Sequence, residues 1–187
     1  MNGIERCIDD EIPFDIPDSW CWCRLKTVSN KIVDGDHNPP KGEPYQTDYI
    51  MASSTNINND TLVELDKVRY LSKETFLIEN NRTDVEIGDI FFTSVGTLGR
   101  SCVFEGGYNI CFQRSVSIIN TKLYNYYLKR VLDSPFIQSK ITAESTGTAQ
   151  KGFYLNQLKE CLIPVPPLAE QFRIVESIES LMGILQK

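Results

Sequence analysis

Apolar positions along the chain fall mostly in short runs that alternate with polar ones, and they take up a helical period only in a few stretches. Runs rich in β-branched and aromatic residues, bounded by Gly, Asn, Asp or Pro, predict strands near Tyr49–Ser53, Thr61–Tyr70, Asp89–Val95, Arg100–Phe104 and Ile110–Ile119. "SKETFLIEN" (Ser72–Asn80) predicts a short helix with Ser72 as its N-cap, where a hydroxyl can accept from an otherwise unpaired first-turn amide. "LYNYYLKRVL" (Leu123–Leu132) sets Tyr124, Tyr127, Leu128 and Val131 on one helical face. Ser134-Pro135 then starts a second helix, the serine as cap and the proline in the first turn. "STGTAQKGFY" (Ser145–Tyr154) has no apolar period and predicts a loop, and "CLIPVPP" predicts a strand that stops at its prolines. Strands and short helices mixed in this way make an α+β domain.

Past Pro166-Pro167 the pattern changes. Leu168, Val175 and Met182 are seven residues apart, as are Ile178 and Leu185, which is an a/d stripe broken only by Gln171. So narrow a seam calls for a partner helix, although a stripe under three heptads also suits packing back on its own domain. The expected division is a domain over 1–165 and a helix beginning within 166–187. At the start of the domain, the acidic, proline-punctuated "IDDEIPFDIPDSW" reads as an extended arm on the surface, ending where Trp20, Trp22 and Leu25 dock.

Composition adds little until it is resolved by position. The net charge of −6 argues against a nucleic-acid partner. The acids, however, crowd the first half, whereas residues 90–160 hold eight Lys or Arg against four Asp or Glu. A basic half can face DNA while an acidic half faces solvent or protein. No apolar run reaches the roughly 18 residues of a membrane span, and the first residues lack the pattern of a signal peptide, so a cytoplasmic protein without membrane contact is expected. The six cysteines then read as reduced, mostly buried thiols, and with one histidine and no second close Cys pair no metal site is expected.

"DGDHNPPKGEPY" raises the question of catalysis. Asn-Pro-Pro-aromatic is the catalytic loop of many adenine-N6 methyltransferases, but here Lys41 stands in the aromatic position. No strand and Gly-rich turn for S-adenosylmethionine accompanies it, so Asn38-Pro39-Pro40 reads as a proline-stiffened turn that Asp34 and Asp36 brace. A nuclease is the other enzymatic alternative, and Asp34, Asp36 and Lys41 match one weakly.

Several segments in register from about Ile12 to Leu181 resemble one family: "IPDSWCWCRL", "DGDH", "GDIFFTSVGTLGR", "FQRSV", "STGTAQKGF" and above all "IPVPPLAEQFRIV". The chain resembles the specificity subunits of Type I DNA restriction–modification systems, with one target-recognition domain and its helix where such subunits usually have two of each. The resemblance implies a curved, partly barrel-like β-sheet with short helices, followed by a C-terminal coiled-coil helix that acts as a spacer. It implies a non-catalytic chain that reads one half of a bipartite DNA site and directs adenine methylation and restriction by partners. Those partners are double-stranded DNA, modification subunits, a restriction subunit, and a second copy or second recognition domain met through the helix. No cofactor is expected on this chain, since S-adenosylmethionine belongs to the modification subunit.

Reading residues vary within such a family, so the candidates come from chemistry. Arg or Lys reads guanine, Asn or Gln reads adenine, and Lys, Arg, Ser and Thr hold phosphates. "TSVGTLGR" offers Ser94, Thr97 and Arg100; "STGTAQKGF" offers Thr146, Thr148, Gln150 and Lys151; the "DGDHNPPKGEPYQ" stretch offers Lys41 and Tyr45, with His37, Asn38 and Gln46 beside them. Lys151 is expected on phosphate and Gln150 on adenine, with this loop beside Thr93–Arg100. Alternation along "FQRSV" puts Arg114 on the apolar side with Phe112 and Val116, so a structural ion pair is expected for it. Leu168, Val175, Ile178, Met182 and Leu185 are the expected oligomerisation residues.

Overall fold

The computed structural model describes residues 7–147 and 151–185. Its strands are β1 (Cys21–Arg24), β2 (Ser29–Asp34), β3 (Tyr49–Ala52), β4 (Ile57–Asn58), β5 (Thr61–Leu62), β6 (Arg69–Tyr70), β7 (Ile90–Thr93), β8 (Ser101–Val103), β9 (Asn109–Phe112), β10 (Val116–Thr121) and β11 (Leu162–Val165). The helices are α1 (Lys73–Thr83), α2 (Asn125–Asp133), α3 (Pro135–Glu144), α4 (Leu155–Lys159) and α5 (Leu168–Leu185).

A four-stranded antiparallel sheet, ordered β2-β10-β7-β8, forms the centre. Strand alternation sends its side chains to two separate cores. Ile90 and Phe92 of β7 and Ile119 of β10 pack with Tyr127, Leu128 and Leu132 of α2, Ile137 and Ile141 of α3, and Leu158 of α4. Phe91, Val116 and Ile118 point the other way, onto Ile50, Ala52, Ile110 and Phe112 of a second sheet ordered β6-β3-β9. A strand buried on both faces reads as a continuous apolar run, hence "IFF" in β7. The outer face of the second sheet, through Met51 and Cys111, is covered by Phe76 of α1. The result is an α+β stack of helix, sheet, sheet and helix, in which open sheets replace the expected partly barrel-like one.

Where signals are local, sequence and structure agree. Ser72 caps α1 by accepting from the Thr75 amide at 3.2 Å, and Ser134 caps α3 by accepting from Ile137 at 3.4 Å. The arm carries a 3-10 turn at Asp9–Glu11 where extended backbone was expected, but it docks as expected, with Phe14 edge-on to Trp22 and Phe136 at 5.0 and 5.5 Å and with Leu25 fully buried. Of the thiols, Cys102, Cys111 and Cys161 are buried, and burial pushes all three up to about 12. Cys7 and Cys21 are exposed and Cys23 is partly so, which corrects the expectation of mostly buried thiols.

Two strand predictions are corrected. Thr61–Tyr70 is strand only at its ends, because the chain turns between them with Glu64 at φ 51°. Ile110–Ile119 is two strands, β9 and β10, separated by the turn Gln113–Ser115. β9 pairs parallel with β3, whereas β10 pairs antiparallel with β2 and β7, so the chain must change sheets between them.

α5 divides into two parts. Val175 is 3% exposed and belongs to the core beside α2, so it is not free to meet a partner helix. Gln171, the apparent break in the stripe, is equally buried: its Oε1 accepts from the Tyr124 amide at 2.9 Å and its Nε2 donates to the Pro166 carbonyl at 3.0 Å. Phe172 lies against Tyr124 with ring centroids 4.3 Å apart. Farther along, Leu181, Met182 and Ile184 are exposed, as is Leu168 at the helix start, while Ile178 is half-buried.

Candidate nucleic-acid interface

Three loops distant in sequence meet at one end of the stack. The β7–β8 connection and the loop after α3 are joined by backbone: Val95 bridges Gly152, the Gly96 amide donates to the Lys151 carbonyl at 3.2 Å, and the Phe153 amide donates to the Ser94 carbonyl at 2.8 Å. The expected adjacency of Thr93–Arg100 and the Ser145–Phe153 stretch is therefore present among the described residues. Thr148 and Gln150 lie outside them. The third loop follows β2. Asp36 bridges Gln113, its carbonyl accepts from the Arg114 amide at 2.8 Å, and a side chain on Gly35 would collide with the Phe112 carbonyl. The close approach of these two backbones thus requires glycine at 35.

The chain bends at His37-Asn38 ahead of Pro39-Pro40, and of the two acids expected to brace it only Asp36 does so, accepting from the Asn38 amide at 2.7 Å; Asp34 instead accepts from the Ser117 hydroxyl of β10 at 2.6 Å. Asp34, His37, Ser94, Val95, Arg114 and Tyr154 line a cavity of about 110 Å³ between the loops.

The expected reading residues separate. Thr146 and Lys151 are exposed beside the cavity, with Thr146 paired through its backbone to Gly152. Ser94 is 2% exposed and ties the loops together, its amide donating to the Ser115 carbonyl at 2.9 Å, so it cannot offer its hydroxyl to an outside partner. Thr97 is half-buried. Arg100 faces away, into a groove of about 620 Å³ that it shares with Asp60, Arg130, Asp133, Gln138, Ile178 and Met182. Lys41 and Tyr45 are exposed, but Glu43 between them is bonded to the Tyr70 carbonyl at 2.8 Å, which carries that segment toward β6.

Arg114 is the main reversal. It stands exposed on the turn between β9 and β10, and among the described residues it forms no ion pair. The alternation that placed it on the apolar side fails because the turn takes it out of both strands. Tyr154, exposed and with its ring against Gly152, joins the cavity without having been expected there.

The basic excess over residues 90–160 is also partly consumed inside the domain. Lys129 is 2% exposed and pairs with Asp60 and, at 2.6 Å, with Asp133; Arg130 pairs with Asp60 at 3.0 Å. Lys140 pairs with Glu144. Among the described residues, Arg114 and Lys151 at the loop end remain outside such pairs.

The family model for the Type I restriction modification DNA specificity domain matches residues 19–187. The chain belongs to that family. Among curated relatives, the specificity subunit of the Type I restriction enzyme EcoBI from Escherichia coli is 30% identical over 90% of this chain. That of EcoEI, also from Escherichia coli, is 24% identical over 94%. This member of the family spans 36% and 31% of the length of those two relatives. The fold is similar to that of the HsdS subunit from Thermoanaerobacter tengcongensis, with a TM-score of 0.66 at 17% identity, covering 93% of this chain and 40% of that one. It is also similar to a chain from a structure of type I R-M system assembly and conformational transition, with a TM-score of 0.70 at 16% identity, covering 93% of this chain and 41% of that one. No described helix is long and apolar enough to cross a membrane.

Proposed function

We propose that this specificity domain binds double-stranded DNA in a sequence-specific manner, reads one half of a bipartite target, and carries out no chemistry itself. The observation that carries the reading is the loop end. Three backbone-locked loops present cations, hydroxyls, an imidazole and a phenol on one surface. Base edges and phosphates are read by these groups when held on a rigid frame. Relatives named as specificity subunits of Type I restriction enzymes support the same reading. Lys151 holds phosphate, and Gln150 pairs with adenine. Adenine methylation and restriction are performed by modification and restriction subunits, with S-adenosylmethionine on the modification subunit.

The outer part of α5 supplies the second contact, with a second recognition domain or a second copy. Leu181, Met182 and Ile184 are its exposed apolar residues. Association through them is tested by Leu181→Asp plus Ile184→Asp, which is expected to abolish dimers or assembly while the domain keeps its melting temperature.

DNA titrations at several salt concentrations, with and without a modification subunit, test the main reading. Binding must prefer some duplexes over others and weaken with salt. Incubation of the chain alone with labelled S-adenosylmethionine and DNA is expected to leave adenine unlabelled; label in adenine would overturn the non-catalytic assignment.

A further inference from the structure

We propose that Arg114 reads a guanine in the DNA half-site and is the principal specificity-determining cation of this domain. The inference rests on the DNA-binding reading above and goes further by naming a residue and a base.

The backbone around Arg114 is held from three directions. The Gln113 amide donates to the Ala52 carbonyl at 3.0 Å, and the Arg114 amide donates to the Asp36 carbonyl at 2.8 Å. The Ser115 carbonyl accepts from the Ser94 amide at 2.9 Å, and the Ser115 hydroxyl accepts from the Ser54 amide at 3.0 Å. The point from which the side chain springs is thus fixed by both sheets and by the β7–β8 loop. Arg114 is exposed and lines the cavity between the loops, with no ion pair to a carboxylate among the described residues. A fixed origin with a free, planar, five-donor head suits bidentate recognition of guanine O6 and N7.

The other cations nearby lack this combination. Lys129 and Arg130 are bound to Asp60 and Asp133. Arg100 lines the groove beside α5. Lys151 is exposed at the same end, but an ammonium on a flexible stem is a point charge better suited to phosphate. Around Arg114, His37 and Tyr154 line the same small cavity and bound the space that a base edge would enter.

The test uses the full chain and a double-stranded DNA library with a randomised ten-base-pair window, sequencing the bound fraction. Wild type is expected to select a motif containing at least one strongly preferred G·C pair. Arg114→Ala is expected to lose roughly 10- to 100-fold of discrimination at one such position and to leave the others. Arg114→Lys is expected to keep part of it, and Lys151→Ala is expected to weaken binding while keeping the motif. Thermal melts of each variant separate misfolding from lost reading. An unchanged motif in a folded Arg114→Ala overturns this inference and leaves DNA binding standing. No selected motif in wild type overturns the DNA-reading function itself, and this assignment with it.

Discussion

The seam where α2 meets α5 and the end where the three loops meet invert each other's sequence signals. The seam carries features that look made for outside partners: the basic pair Lys129-Arg130 and the start of a heptad. Both are spent inside the domain, the lysine on Asp60 and Asp133 and Val175 on the core. At the loop end, Arg114 looks structural in sequence and is exposed in the fold, with no ion pair among the described residues. Charge count and apolar period state what a residue can do, and the chain path decides whether the residue is available to do it.

The contrast can be broken by substitution, and the largest effect is expected at the seam. Lys129→Met leaves Asp60 and Asp133, both partly exposed, to Arg130 alone and should cost about 2–3 kcal/mol in urea unfolding. A loss within about 0.5 kcal/mol would place Lys129 among ordinary surface residues. Next, Val175→Ala removes buried methyl groups and should cost roughly 2 kcal/mol, whereas Leu181→Ala, on the exposed stretch of the same helix, should stay within about 0.5 kcal/mol. Equal effects of these two on stability would mean that α5 is not divided as described. The smallest change in stability is expected at the loop end. Lys151→Ala should move the unfolding free energy by less than about 0.5 kcal/mol yet lower the slope of log affinity against log salt by about one. Stability loss with an unaltered slope would turn Lys151 into a structural residue and erase the contrast.

The parts of this fold legible in sequence are those whose physics is local. Ser72 and Ser134 announce helix starts because a cap is satisfied within three residues, and Pro166-Pro167 mark the end of β11 because proline fixes backbone. The parts that were not legible depend on distant partners. "FQRSV" reads as one strand, and nothing within it reveals that β9 joins one sheet and β10 another. α4 was missed because Tyr154 occupies its N-cap and accepts no capping bond from the helix, while Gln157 reaches back to the Tyr154 amide at 2.9 Å. The site was half legible: composition pointed to the two loops that do meet, but it could not show that Ser94 is their internal tie, that Arg100 faces α5, or that the Arg114 turn lies between them.

β1 and β11 lie side by side, from Cys21 opposite Val165 to Arg24 opposite Leu162. Everything between Leu25 and Cys161 is therefore gathered on a two-stranded clasp, with the incoming and outgoing chain a strand's width apart. Segments closed off in this way can be exchanged as cassettes, since neighbours on either side see the same two attachment points. Retaining the clasp and the Gln171 anchor would let a different set of loops be installed while α5 departs from the same place. The clasp thus sets where α5 leaves the domain, whatever path the chain takes between its two strands.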